Sequence, residues 1–215
     1  MQIGVLGTGM VGTTIGRKLI ELGHEVKLGA RSAQNEKAAD WAKAGGAGAS
    51  HGTFAAAAAF GEIVFNCTAG SGSLAALEQA GADNLKGKVL IDIANPLDFS
   101  RGMPPSLTVC NTDSLGEQIQ RAFPAVKVVK SLNTVSGNLM VNAALLPGDH
   151  VIFVSGNDAA AKAQVTSILK EWFGWQAVID LGDLTTARTT EMFMPLWVNL
   201  MGQLGTPLFN FAIVR

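Results

Sequence analysis

The residues with the clearest chemical reading are Gly7-Thr8-Gly9-Met10-Val11-Gly12, a GxGxxG near the start of the chain. An apolar run (Ile3, Val5, Leu6) enters it, and a helical pattern through Ile15, Leu19 and Ile20 leaves it. The expected order is therefore strand, glycine turn, helix. In that context GxGxxG reads as a dinucleotide fingerprint; outside it the same letters are an ordinary glycine turn. Gly7 is expected to make the turn, Gly9 to admit a pyrophosphate to the backbone, and Gly12 to bring the helix close to the strand. The helix's free N–H groups and the positive end of its dipole would then face the phosphates.

Arg31 and Ser32 form the second group, at the end of the next expected strand. An NAD-specific site places an Asp or Glu there for the ribose 2′-hydroxyl, and no acid occurs between Gly29 and Ala33. A guanidinium and a hydroxyl suit a 2′-phosphate instead, with Lys37 as further charge, so the expected cofactor is NADPH. The third group sits at later strand ends. Cys67, read as strand-end packing rather than a nucleophile, leads with Thr68 and Ala69 into small residues that let ribose and phosphates lie against the backbone. Asn95, Pro96 and Leu97 should flank the nicotinamide at the carboxyl edge of the sheet.

Some chemistry is missing. The chain contains no tyrosine, which removes the Tyr/Lys proton donor of short-chain carbonyl reductases. His24, His51 and His150 precede or adjoin expected strand starts, on the edge opposite the site, and their spacing makes no metal cluster. Lys130 and Asp92 are read as embedded in strands. Reduction of a C=O or C=N bond usually needs a placed proton donor. Hydride transfer to a flavin-like ring needs mainly alignment of two flat rings.

The elements that must hold these groups can be read in order. A helix closes at Leu22-Gly23, and a strand at 24–28 leads to Arg31. A helix over 33–44 and a short strand near 47–50 follow, then an alanine-rich helix capped by Thr53. Apolar runs at 62–68, 88–94 and 127–132 read as buried parallel strands. Ser114 to Glu117 is a capping box, residues 98–112 a long loop of the kind that borders binding sites. A strand at 150–154, a helix over 158–173 and a strand at 176–181 complete the alternation. The expected fold is a single Rossmann-like α/β domain over 1–215, a doubly wound, mostly parallel sheet with its core in 1–183. Residues 184–215 form a C-terminal helical segment, kinked by Pro195 and apolar nearly all round. It must be buried on several sides, as a last core helix or as a homodimer interface.

Composition narrows the partners. At 215 residues with 48% hydrophobic content, the chain can bury a substantial core. A net charge of −1 gives no electrostatic footprint for nucleic acid or an anionic membrane. Two distant cysteines, Cys67 and Cys110, and a start that runs straight into a strand fit a cytoplasmic protein without a secretory signal.

Longer stretches carry a resemblance. GVLGTGMVG at 4–12, ELGHEVKLGARS at 21–32, VLIDIANPLDFS at 89–100, NTDSLGEQIQRAFP at 111–124, VVKSLNTV at 128–135 and DLGDLTTAR at 180–188 resemble the F420-dependent NADP oxidoreductases, over essentially the whole chain. The N-terminal part is also similar to the STEAP metalloreductases and, more remotely, to pyrroline-5-carboxylate reductases. The resemblance implies Thr8, Arg31 and Ser32 around the adenosine phosphates, and Thr68, Ala69 and Asn95 to Leu97 along the cofactor. It implies an acceptor pocket near Asn133, Thr134, Val135, Ser136 and Arg188. Asn133 stands where F420-reducing members often carry a histidine. The implied activity is hydride transfer between NADPH and a small redox acceptor, coenzyme F420 or a flavin. A small imine or carbonyl reductase and a non-catalytic NADPH-binding module are the alternatives.

Overall fold

A computed structural model describes residues 1–214. The chain forms β1 (Gln2–Leu6), α1 (Met10–Glu21), β2 (Glu25–Ala30), α2 (Glu36–Gly45), β3 (Ala49–Thr53), α3 (Phe54–Phe60) and β4 (Ile63–Asn66). It continues with α4 (Ser73–Ala80), α5 (Ala82–Leu85), β5 (Val89–Asp92), a small ladder of β6 (Leu97–Asp98) on β7 (Ser106–Leu107), α6 (Leu115–Ala122) and β8 (Lys127–Ser131). Then come α7 (Gly137–Met140), β9 (Val151–Gly156), α8 (Ala159–Glu171), β10 (Ala177–Asp180), α9 (Ala187–Met192) and α10 (Met194–Leu204). The main sheet has the order β10-β9-β8-β5-β4-β1-β2-β3. The chain winds outward from β1 through β2 to β3, then returns by α3 to β4 on β1's other side. The gap between the carboxyl ends of β1 and β4 is thus a topological switch point, where α/β sheets bind ligands.

Alternation along the strands supplies two cores. Ile3, Val5, Ile63, Phe65, Ile91 and Val129 face α1, α2, α7 and α8, with Trp175 and Phe173 filling that layer. Leu6, Val64, Leu90 and Val128 face the other way, onto α3, α4, α6 and α9. Each central strand is therefore apolar on both faces, as a sheet covered on both sides requires. The expected caps hold at Thr53 and Ser114, which accept from Ala56 and Glu117 N–H groups, and Asp158 caps α8 in the same way, accepting from Ala161 N–H.

The far edge departs from the expected rhythm. β8 and β9 pair antiparallel, Ser131 opposite Val154. A parallel neighbour needs a crossover returning to the other edge, and the segment after β8 contains just the one-turn α7, which packs beside α1, and a 3-10 turn at Ala143–Leu145. The chain stays at the carboxyl edge and enters β9 in reverse. This corrects the histidine placement: His150, just before β9, lies on the carboxyl edge, and His51 sits within β3 rather than before it. His150 is engaged by the Ala143 carbonyl, by Asn210 and by the edge of Trp175.

The tail forms the expected helical segment, but its burial differs from expectation. It forms two helices that break at Phe193, with Pro195 in the first turn of α10, where a missing N–H costs nothing. α10 buries Met194, Trp197 and Val198 against Leu97, Phe209 and Phe211. Its other side is open: Leu196 is 49% and Leu204 56% exposed. One chain does not bury this helix on several sides.

Candidate functional site

The glycine fingerprint does what its spacing demands. Gly7 has φ +117°, and a Cβ there would stand 2.6 Å from the Cys67 carbonyl. A Cβ on Gly12 would collide with the Gly7 carbonyl. Around a Cβ on Gly9 there is nothing within 4 Å. Gly9 is also the N-cap of α1 and provides no side-chain cap, so the first N–H groups of that helix point out of the turn without a side-chain partner. Open backbone at a helix N-terminus fits a pyrophosphate.

From this turn a crevice runs in both directions. One arm, about 750 Å³, is lined by Gly7, Thr8, Gly9, Ala30, Arg31 and Lys37, among others. The other, about 290 Å³, is lined by Val11, Ile93, Ala94, Asn95, Leu97 and Phe99, with Gly70 and Ser71. Cys67, Thr68 and Ala69 belong to both arms and join them. The size is that of a cofactor cleft. A hollow of about 800 Å³, larger than either arm alone, lies against α6, but its charged residues are paired: Arg121 with Asp113, Arg188 with Glu117, Lys127 with Asp158. Among the described residues no cluster has the composition of a metal site, and no helix is long and apolar enough to cross a membrane.

The sequence-derived residues fall into two sets. Gly7, Thr8, Gly9, Val11, Arg31, Cys67, Thr68, Ala69, Asn95 and Leu97 line the crevice. Gly12 and Pro96 shape it from behind; the Pro96 carbonyl accepts from Thr108 N–H at 2.8 Å. Met10 projects into solvent. Ser32 turns to its own loop, donating to Gln34 Oε1 at 2.7 Å.

Asn133, Thr134, Val135, Ser136 and Arg188 do not line the crevice in this chain. Asn133 is buried behind the wall, where its amide donates to Asn95 Oδ1 at 2.9 Å and to the Thr190 carbonyl at 3.1 Å. Asn95 in turn donates to the Asn133 carbonyl at 2.9 Å. Thr134 and Val135 are buried, and Ser136 is half-buried at the start of α7. Arg188 makes a bidentate pair with Glu117 and stands away from the crevice. Phe54, Phe99 and Glu36 were not anticipated. Glu36 opens α2 and lines the same arm as Arg31 and Lys37.

Burial, and then the Asp92 carboxylate, push the Cys67 thiol well above its ordinary range. A thiol so placed stays protonated and is no nucleophile. Burial works against the charge of Lys130, and Asp92 and Glu191 more than offset it, so that ammonium is held above the usual lysine range.

Over its full length, and the full length of the other chain, this chain is 55% identical to a crystal structure from Arthrobacter sp. FB24 named, by inference, an F420-dependent NADP-reductase, with a TM-score of 0.95. The chain belongs to the F420-dependent NADP oxidoreductase family. The family model for coenzyme F420-dependent NADP oxidoreductases matches residues 2–96, which carry nearly all of the crevice lining. The chain is also similar to rat metalloreductase STEAP3, 29% identical over 120 residues; these are 54% of this chain and about a fifth (22%) of that protein. A reductive aminase from Aspergillus terreus, solved with an NADPH-type cofactor, is 18% identical with a TM-score of 0.64, and the match covers 95% of this chain and 62% of the aminase. That likeness is one of fold. This is a family of NADP-dependent oxidoreductases with an α/β Rossmann-like core and a mostly parallel sheet, as read from the sequence.

Proposed function

We propose that this chain binds NADP(H) along the crevice and transfers hydride between its nicotinamide and a flat redox acceptor, coenzyme F420 or a flavin, without a covalent intermediate. The observation that carries the reading is the contrast between the two arms. Arg31 and Lys37 stand at one arm, where a 2′-phosphate would gain charge-assisted hydrogen bonds. The other arm is apolar, with Val11, Ile93, Ala94, Leu97 and Phe99 around the Asn95 amide. The ionisable side chain lining that arm is Cys67, whose thiol is held protonated.

Bound NADPH would supply the hydride. The chain's own residues hold the phosphates on α1 and exclude water with the apolar arm. Asn95, fixed by its reciprocal pair with Asn133, orients what lies beside it. No side chain of the apolar arm offers a general acid, which suits transfer between stacked rings better than reduction of a C=O or C=N bond. The test is absorbance of the purified protein mixed with NADPH and, in turn, F420, FMN and FAD. Turnover with at least one supports the reading, and NADPH binding without turnover of any would overturn it in favour of imine reduction or a non-catalytic module.

We also place the protein in the cytoplasm as a homodimer joined through α10. The support is the exposed side of that helix, Leu196 and Leu204, which a second copy would cover, together with two free cysteines.

A further inference from the structure

The hydride reading makes no use of the most heavily hydrogen-bonded group of buried side chains. Asn66, Asp92 and Lys130 are register partners at one level across β4, β5 and β8, so their side chains share a face. All are buried, with 0%, 0% and 1% exposure. Lys130 commits its three N–H bonds to Asp92 Oδ2 at 2.8 Å, to Glu191 Oε1 at 2.8 Å and to the Ala94 carbonyl. Glu191 is fixed in turn by the Leu115 and Gly116 N–H groups at 2.8 and 3.0 Å, at the start of α6.

The polarity of the remaining bonds follows without choice. A carboxylate paired with an ammonium only accepts, so Asn66 must turn its NH2 toward Asp92 Oδ1, 2.7 Å away. The second hydrogen of that NH2 goes to Ser73 Oγ at 2.6 Å. The Asn66 carbonyl therefore faces Thr68, whose hydroxyl donates its one hydrogen to it at 2.7 Å. What Thr68 has left for the crevice is a pair of acceptor sites.

We propose that the buried chain Glu191–Lys130–Asp92–Asn66 acts as a positioning device that makes Thr68 an obligate hydrogen-bond acceptor in the crevice, matched to a hydroxyl of the nicotinamide-side ribose. The inference rests on the NADP(H) reading. Thr68 stands where the two arms meet. With the pyrophosphate on the glycine turn and the ring beside Asn95, covalent connectivity puts that ribose between them. An acceptor suits a ribose hydroxyl there and repels a phosphate oxygen, so it also fixes how far the dinucleotide slides along the crevice.

The experiment is a calorimetric titration with NADP+ and with analogues lacking the 2′- or the 3′-hydroxyl of the nicotinamide ribose. The wild type is expected to bind NADP+ roughly 2- to 10-fold more tightly than one of the analogues, the worth of one neutral hydrogen bond. Thr68→Val should abolish that preference and Thr68→Ser restore it. Asp92→Asn, which frees Asn66 to turn over, should shrink it while NADP+ still binds. Should Asp92→Asn fail to fold, the Thr68 pair decides. Equal affinity of the wild type for NADP+ and both analogues, or a preference that survives Thr68→Val, overturns this inference alone. Absence of NADP+ binding by the wild type overturns the cofactor reading with it.

Discussion

Lys130 Nζ lies 2.8 Å from Asp92 Oδ2, and neither side chain is more than 1% exposed. Glu191 closes the group at the same distance from Lys130, so one ammonium stands between two buried carboxylates contributed by β5 and α9. This ion group ties the C-terminal helices to the sheet directly behind the crevice wall.

Removing Lys130 leaves two buried carboxylates, Asp92 and Glu191, without their cation. Lys130→Met is expected to cost about 3–5 kcal/mol of stability. Urea unfolding measures it; a loss under about 1 kcal/mol, the range of exposed pairs, would mean that water or rearrangement relieves the stranded charge.

Gly9 and Gly12 should separate binding from folding. Gly9→Ala meets no protein atom within 4 Å and keeps an ordinary extended backbone at φ −77°, so stability should be nearly unchanged. The new methyl stands where the pyrophosphate must approach, and NADPH affinity should fall by about tenfold or more, about 1.4 kcal/mol. Gly12→Ala drives its Cβ into the Gly7 carbonyl and should lower stability itself. Thermal melts alongside cofactor titrations check both. Unchanged affinity in Gly9→Ala would place the phosphates elsewhere.

The Asp113–Arg121 pair predicts acid sensitivity of a definite sign. The Arg121 guanidinium holds the Asp113 carboxyl at about 2, below its ordinary 3.8. A depressed carboxyl contributes stability that is present above its unfolded value and lost as pH falls through its folded one. The contribution should therefore be full above pH 3.8 and fade between there and about pH 2. Solvent around Arg121 keeps it to about 1 kcal/mol or less. The stability difference between wild type and Arg121→Ala should be constant near neutral pH and vanish in strong acid. A difference that grows in acid would contradict the assignment.

If a second copy covers α10, a charge on its exposed side should split the assembly. Leu196→Glu is expected to shift the protein from dimer to monomer in light-scattering chromatography without loss of helical signal. A wild type that elutes as a monomer at all concentrations would dismiss this interface.

Much of the site was legible because its demands are local. Gly7, Gly9 and Gly12 answer to one turn, and Arg31 to one strand end; Thr53 and Ser114 each cap a helix that begins at the next residue. What escaped depends on distant pairing. The reversal of β9 follows from α7 lying against α1, which no local pattern announces. Phe54, Phe99 and Glu36 reach the crevice from separate elements with no shared spacing. Arg188 found Glu117, its partner on another helix, instead of the acceptor end. A signal for the buried chain did exist: Asn66, Asp92 and Lys130 are polar residues at or near the carboxyl ends of otherwise apolar strands. Reading them as one line required the register of three strands.

The central claim is that a phosphate-bearing dinucleotide lies along the crevice with its 2′-phosphate on Arg31. Titration of NADPH and NADH into wild type and Arg31→Ala tests it most directly. The account predicts that wild type prefers NADPH and that Arg31→Ala loses roughly tenfold or more of that affinity, the worth of a charge-assisted bond, with NADH little changed. Equal losses for both cofactors, or no uptake of NADPH by the wild type, would contradict it.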